Sequence, residues 1–365
     1  MRNYNKALLI VAILLVGGGV GFFAYGFATR GSLEDSFNFS YEPISPDAIE
    51  DLTFDVDIGD ILFHYNTTPI ASNTYAEIDV FLEISGLFIE GKTYQDFFEP
   101  STEWWNNATG TFVLETLPDV WFDPSHWFKS YNISVIVTLR TDIVYDITAS
   151  TSVGDIEMEV SEEVVLDGLS LTSSTGSIDF KTLGNNTLTG NVRFESSTGD
   201  IQSFATKTNF SNGFRALTST GDLTLNFTSC IMGDNVIGTV STGDVNFNSY
   251  NMVYLKDINL NLGTSTGDID VELYQYVSMG ANVTGTWDTS TGSVDVLYRD
   301  NLVDTGVRFV GSTGTGSLNY ISHATMEITG LGSIYSSLDY GTANFRYLFS
   351  LDTSTGSIYA DAQSS

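Results

Sequence analysis

Three histidines, His64, His126 and His323, lie far apart in the 365-residue chain and in unrelated contexts. No Gly-x-Ser-x-Gly elbow, His-Glu-x-x-His helix or phosphate-cradling glycine loop accompanies them, so the sequence spells out no nucleophile, zinc or nucleotide site. The run Thr313-Gly314-Thr315-Gly316-Ser317 is glycine-rich, yet no helix follows it to face a phosphate. With 45 acidic residues against 14 basic ones, a glycosidase-like carboxylate pair could be drawn almost anywhere, which empties such a pair of meaning. A β-helix lyase needs a base beside acidic metal ligands, and Arg193, Arg215, Arg299 and Arg308 are scattered. Cys230, the single cysteine, has no neighbouring cation or histidine to activate it and reads as buried filler. The expectation is a protein that is not an enzyme.

Two residue sets remain. One is a row of aspartates, Asp155, Asp200, Asp222, Asp244 and Asp268, each directly after a glycine, with Ser177, Ser293, Ser317 and Ser357 in the same place elsewhere. Asp and Ser share an acceptor oxygen that bonds a turn N–H but do not share a charge, so their interchange argues for turn capping. Four consecutive aspartates, Asp200, Asp222, Asp244 and Asp268, could instead attract Ca²⁺, a hard cation that takes several oxygens. No other cofactor is expected. The second set is aromatic. Residues 91–129 hold Trp104, Trp105, Trp121 and Trp127, four of the five tryptophans. They read either as a cap or flap over an open end of the fold, or as a surface that contacts glycan or protein.

The element that positions the aspartates is a repeat. The kernel Ser-Thr-Gly-Asp/Ser, or a near copy, recurs at Gly154, Gly176, Gly199, Gly221, Gly243, Gly267, Gly292, Gly316 and Gly356. Most of these glycines lie 22 to 25 residues apart, the spacing of stacked repeats. Leu331-Gly332-Ser333-Ile334 looks like a degenerate copy inside the longer gap before Gly356. Apolar residues stand two and four places after most of these glycines (Leu223 and Leu225, for example) and five and seven before most of them (Phe194 and Val192). That period of two predicts half-buried strands on both sides of a glycine corner. Two strands cannot bury a face alone, so the units must stack. The fold class expected is all-β, a β-solenoid with ladders about 4.8 Å apart and a rod on the order of 40 Å long.

The N-terminal part reads in order as a cytoplasmic end (1–6), a transmembrane signal anchor (7–28), a stalk (29–50) and a β region (51–147) that contains the insertion 91–129. The repeats then run over 148–365. The 22 uncharged residues from Ala7 to Ala28 suffice to cross a bilayer. Arg2 and Lys6 keep the N-terminus inside, which leaves the bulk of the chain extracellular on a single-pass anchor. Cleavage after Ala28 stays open as a second outcome. Leu52 to Ile61, with Gly59-Asp60 at its centre, repeats the strand-corner-strand logic in weaker form. A formal charge of −31 makes nucleic acid a poor partner and suits a solvated, self-repelling surface. Sequons at Asn38, Asn66, Asn107, Asn132, Asn185, Asn209, Asn226 and Asn282 are candidate glycosylation sites. The edge near Phe345, Tyr347 and Phe349, one coil from the end of the sequence, is a candidate for self-association.

The stretch from Ile143 to Ile156, Ile-Val-Tyr-Asp-Ile-Thr-Ala-Ser-Thr-Ser-Val-Gly-Asp-Ile, and the kernels after it resemble a family of bacterial and archaeal envelope proteins built on an adhesin-like β-strand repeat domain of unknown function. The resemblance covers roughly residues 130 to 365 and does not extend to the aromatic insertion. It implies a surface-exposed β-solenoid with no established catalytic site. The resulting expectation is a membrane-anchored, non-enzymatic adhesin-like or envelope scaffold protein, with surface glycans or envelope proteins as partners. The alternative is a glycan-binding or polysaccharide-active β-helix that uses the aromatic insertion.

Overall fold

The computed structural model describes residues 25–43, 47–66, 73–117, 129–301, 304–321 and 323–363. Strands take up 66% of the chain and helix 4%, so strand pairing carries the fold. Two large sheets pack on one continuous hydrophobic core.

In the first sheet, Gly31–Tyr41, Ala76–Gly86 and Lys129–Arg140 pair antiparallel at one end. Asp60–Asn66 then joins in parallel, followed by Ile156–Val160, Ile178–Leu183, Ile201–Thr206, Leu223–Thr228 and Val245–Tyr250. The same parallel succession ends with Ile269–Gln275, Val294–Asp300, Ile358–Gln363 and Leu318–Tyr320. The second sheet matches it level by level: Glu50–Ile58, Tyr145–Val153, Val165–Thr175, Val192–Thr198, Phe214–Thr220 and Val236–Thr242. It continues through Ile258–Thr266, Val283–Thr291, Phe345–Thr355 and Thr305–Thr315. A narrow third ladder of two-residue strands, Thr187–Leu188, Asn209–Phe210, Ile231–Met232 and Val253–Tyr254, closes the far side of the central levels. The chain crosses from the second sheet to the first at each repeated glycine.

The alternation expected from sequence is what fills the core. Ile178, Phe180, Leu223, Leu225, Val245 and Phe247 on one side, and Val192, Phe194, Leu169 and Leu171 on the other, are all at most 3% exposed. Each such side chain contributes about 1.5–3 kcal/mol by leaving water, and it does so only because a like residue sits on the level above and below. Gly59 is a corner of the same kind, so the level formed by Glu50–Ile58 and Asp60–Asn66 belongs to the stack.

Three expectations need correction. The stalk over 29–50 is absent over its described residues: Gly31–Tyr41 is an edge strand, held because Leu33, Phe37 and Phe39 alternate toward the core despite the acidic residues between them. The segment around Gly332 is no coil corner. A short 3-10 turn, Gly330–Gly332, joins Met326–Thr329 to Ile334–Ser337 in an antiparallel hairpin laid on Thr305–Thr315. Finally, the strand holding Phe345, Tyr347 and Phe349 is not an edge. It lies between Val283–Thr291 and Thr305–Thr315, bonded on both sides. The expected transmembrane segment 7–28 falls almost entirely outside the described residues; its end, 25–28, is one helical turn. No helix among the described residues is long and apolar enough to cross a membrane.

Candidate functional site

The corner kernel is the most regular chemistry in the molecule, and its parts have separate duties. Gly221 has φ +134°, and a Cβ there would overlap the Gly199 carbonyl of the next level. Only glycine satisfies both demands. Its N–H donates to Thr242 O at 3.0 Å, which locks the corner to the level on its other side. The aspartate after each glycine then ties one level to the next. Asp200 Oδ1 accepts the Asp222 N–H at 2.8 Å, Asp222 Oδ1 that of Asp244 at 2.9 Å, Asp244 Oδ1 that of Asp268 at 2.8 Å and Asp268 Oδ1 that of Ser293 at 2.7 Å. Asp60 and Asp155 do the same, toward Asp155 and Ser177. At Ser177 and Ser357 the bond persists, longer: Asp200 N–H to Ser177 Oγ and Ser317 N–H to Ser357 Oγ are both 3.3 Å. The interchange of Asp and Ser thus reflects a shared acceptor. One oxygen of every such carboxylate is engaged with backbone, and among the described residues no group of three or more His, Cys, Asp or Glu converges as a metal centre requires.

A third duty escapes sequence reasoning. The hydroxyl three residues before the glycine points inward and donates to the glycine carbonyl of the neighbouring level. Thr151, Ser173, Ser196, Thr218, Thr264, Thr289, Thr353 and Thr313 all make this bond, at 2.8–3.1 Å. The row has one gap, Val240, itself 2% exposed. The signal was present as a hydroxyl at a fixed place, but two further hydroxyls follow it in the kernel and only the inner one is buried.

The aromatic insertion closes one end. Its strand Thr111–Leu114 extends the second sheet beyond Glu50–Ile58, and Trp105–Asn106 pairs with that strand. Trp104 is fully buried among Phe37, Tyr94 and Phe98, with Nε1 donating to Glu99 O at 2.8 Å. Trp105 is half-buried and donates Nε1 to Ser40 O at 3.1 Å. Asn107 clasps residue 42 through both its amide atoms. An exposed contact surface therefore does not form at Trp104, because its ring is needed to cover the apolar face of Gly31–Tyr41. Trp121 and Trp127 lie outside the described residues.

The remaining candidates are dispersed. His64 is exposed near one end of the first sheet, His126 lies outside the described residues, and His323 near the other end bonds Asp361 at 2.7 Å. Asp361 also pairs with Arg299 at 2.7 Å, and these two partners hold its carboxyl below the usual range. Cys230 is buried, with Sγ toward Ala205 O at 3.3 Å, and burial pushes its thiol up to about 11. On the outer face of the first sheet, Asp270 and Asp295 stand side by side. Partial burial, then repulsion from Asp295, Asp268, Asp244 and Glu272, raises the Asp270 carboxyl. Of the sequons, Asn38, Asn132 and Asn185 are exposed, whereas Asn209 and Asn226 are half-buried within strands and Asn282 braces Arg346 N through Oδ1. Asn66 and Asn107 are half-buried.

No protein-family model matches the chain, and no curated protein matches it. Two solved structures are similar to it. A candidate cell adhesion protein from Clostridium sporogenes ATCC 15579 shares 12% identity over 90% of this chain and 100% of its own, at a TM-score of 0.26. A candidate adhesin from Bacteroides fragilis NCTC 9343 shares 11% identity over 89% of this chain and 96% of its own, at a TM-score of 0.37.

Proposed function

We propose that the chain is a membrane-anchored extracellular β-solenoid and works as a non-enzymatic adhesin-like or envelope scaffold protein. The observation that carries the reading is the unbroken ladder: from Glu50–Ile58 to Thr305–Thr315 the levels repeat the same glycine corner, and each corner below the last donates its glycine N–H to a carbonyl of the adjoining level. The polar kernel residues that recur most regularly are spent on holding levels together, and the aromatic cluster around Trp104 is spent on closing an end. Such a construction favours a stiff, solvated spacer that presents its outer faces over a site that gathers catalytic groups in a cleft. The apolar run Ala7–Ala28 would tether it, with Arg2 and Lys6 inside.

The test uses cells that display the full chain. Protease added outside should remove everything beyond the anchor while leaving a cytoplasmic N-terminal tag intact, and displaying cells should clump or retain envelope material that control cells do not. Protection of the repeats in intact cells, or equal behaviour of displaying and control cells, would refute the proposal.

A further inference from the structure

The order of levels in space departs from the order in the sequence near both ends: Glu50–Ile58 and Asp60–Asn66 lie between Thr111–Leu114 with Lys129–Arg140 and Tyr145–Val153 with Ile156–Val160, and a second departure lies near the C-terminus. From Tyr145–Val153 with Ile156–Val160 until Val283–Thr291 with Val294–Asp300 is reached, every level bonds to the level that follows it in the chain. The next segment in sequence, Thr305–Thr315 with Leu318–Tyr320, does not touch that level by strand pairing among the described residues. Between them lies the coil made of Phe345–Thr355 and Ile358–Gln363. Gly292 N donates to Thr355 O at 2.9 Å and Gly356 N to Thr315 O at 3.0 Å, so the inserted coil serves as a rung on both sides. Thr353 Oγ1 bonds Gly292 O at 2.8 Å, and Thr313 Oγ1 bonds Gly356 O at 2.9 Å. Phe349 stacks on Trp287 at 4.2 Å.

The coil is therefore a separate part seated in a slot. It is joined to the rest of the chain through residues 338–344, where Leu338 is 63% exposed and Gly341 has open space around it. The coil is seated by backbone pairing, by burial and by side-chain bonds such as Asp361 to Arg299 and Tyr347 to Gln275, and a second copy of the chain supplies the same groups. We propose that the slot is an intermolecular joint: it accepts residues 345–363 of a second copy of this chain, and copies link by exchanging these coils. The exchange is strand addition on two edges at once, with the glycine corner fixing the register. Reciprocal exchange closes a dimer, and one-way donation opens a chain of molecules. A copy's own coil competes at an effective concentration on the order of millimolar, so exchange belongs to crowded copies, as on a surface. The association site is then the slot and not an exposed edge.

Thr284 and Leu348 are register neighbours on the outer face of this joint. The full chain carrying Cys230→Ala, Thr284→Cys and Leu348→Cys is made in two lengths, one with an added tag, beside controls that carry Cys230→Ala and only one of the other two substitutions. The two are unfolded, refolded together at rising concentration, oxidised and run without reductant. Crosslinked species containing one chain of each length, increasing with concentration and absent from the controls, are expected. Intrachain crosslinks alone at every concentration overturn the proposal. A second arm stops the chain after Asn344 and offers a synthetic peptide of residues 345–363, native or with Gly356→Val. Saturable binding of the native peptide only is expected. Binding of neither or of both, by a chain whose circular dichroism retains the strand signal, also overturns it.

Discussion

Val240 breaks the row of buried hydroxyls, and filling that gap tests what the row is worth. On either side, Thr218 Oγ1 reaches Gly199 O and Thr264 Oγ1 reaches Gly243 O, both at 2.9 Å. Register continuity places position 240 against the Gly221 carbonyl in the same way, and no side-chain hydroxyl reaches that carbonyl now. Threonine has the shape of valine, so Val240→Thr changes one methyl into a donor at a site 2% exposed. A net intramolecular hydrogen bond is worth about 0.5–1.5 kcal/mol, which sets the expected gain near 1 kcal/mol. The mirror change, Thr218→Val, removes such a bond and strands a buried carbonyl, so it should cost about 1–3 kcal/mol. Urea unfolding followed by far-UV circular dichroism reads both, with midpoints compared at unchanged slope. Slowed hydrogen exchange at the Thr242 and Gly243 amides in Val240→Thr would localise the gain. Loss of stability in Val240→Thr, or no change in either variant, would refute the view that these hydroxyls net-stabilise the stack.

Gly221→Ala should cost at least ~3 kcal/mol, since the new Cβ meets backbone and the φ of +134° is strained for any side chain; limited proteolysis cutting within the repeats is the readout. Asp270→Asn should stabilise the protein at pH 7. The Asp270 carboxyl is raised in the folded chain, so folding favours its protonated form, and its penalty is complete above its folded pKa and relieved as pH falls through it. The advantage of the variant should therefore shrink in urea melts on moving from pH 7 to pH 3, and an advantage that grows on acidification contradicts the assignment. Cys230, buried and with its thiol pushed up to about 11, should stay inert to a thiol reagent at pH 8 until denaturant is added. Trp104→Ala should lose about 3–5 kcal/mol and expose the face of Gly31–Tyr41 to dye binding.

What was legible in the sequence and what was not divides along a physical line. The corners could be read because glycine at +134° beside a carbonyl admits no substitute, and each level re-imposes that demand. The Asp/Ser capping could be read because two residue types with one shared acceptor alternated at one place. The strand Gly31–Tyr41 was hidden because Glu34, Asp35 and Ser36 interrupt its alternation, and its partner Ala76–Gly86 is remote in sequence. Burial of Trp104 depends on that same hidden strand, so the insertion could not be assigned to cap or contact from composition. The inserted coil was illegible for a different reason. The kernels at Gly292, Gly316 and Gly356 are alike enough to stack in either order, and only long-range contacts such as Trp287 on Phe349 select one.

That inserted coil has a bearing on how the protein is made. Residues 305–320 leave the ribosome before 345–363, yet the later segment lies beneath the earlier one. At roughly 5–20 residues per second, the 43 positions between Tyr320 and Gln363 take about 2–9 s to appear. Throughout that interval the growing stack has a gap or a provisional neighbour, and an outermost level without its proper support. A chain broken off before residue 345 cannot fill that gap from its own sequence. The same layer that finishes the structure thus serves as a completeness mark, one that degradation machinery could read as an open strand edge on every unfinished copy.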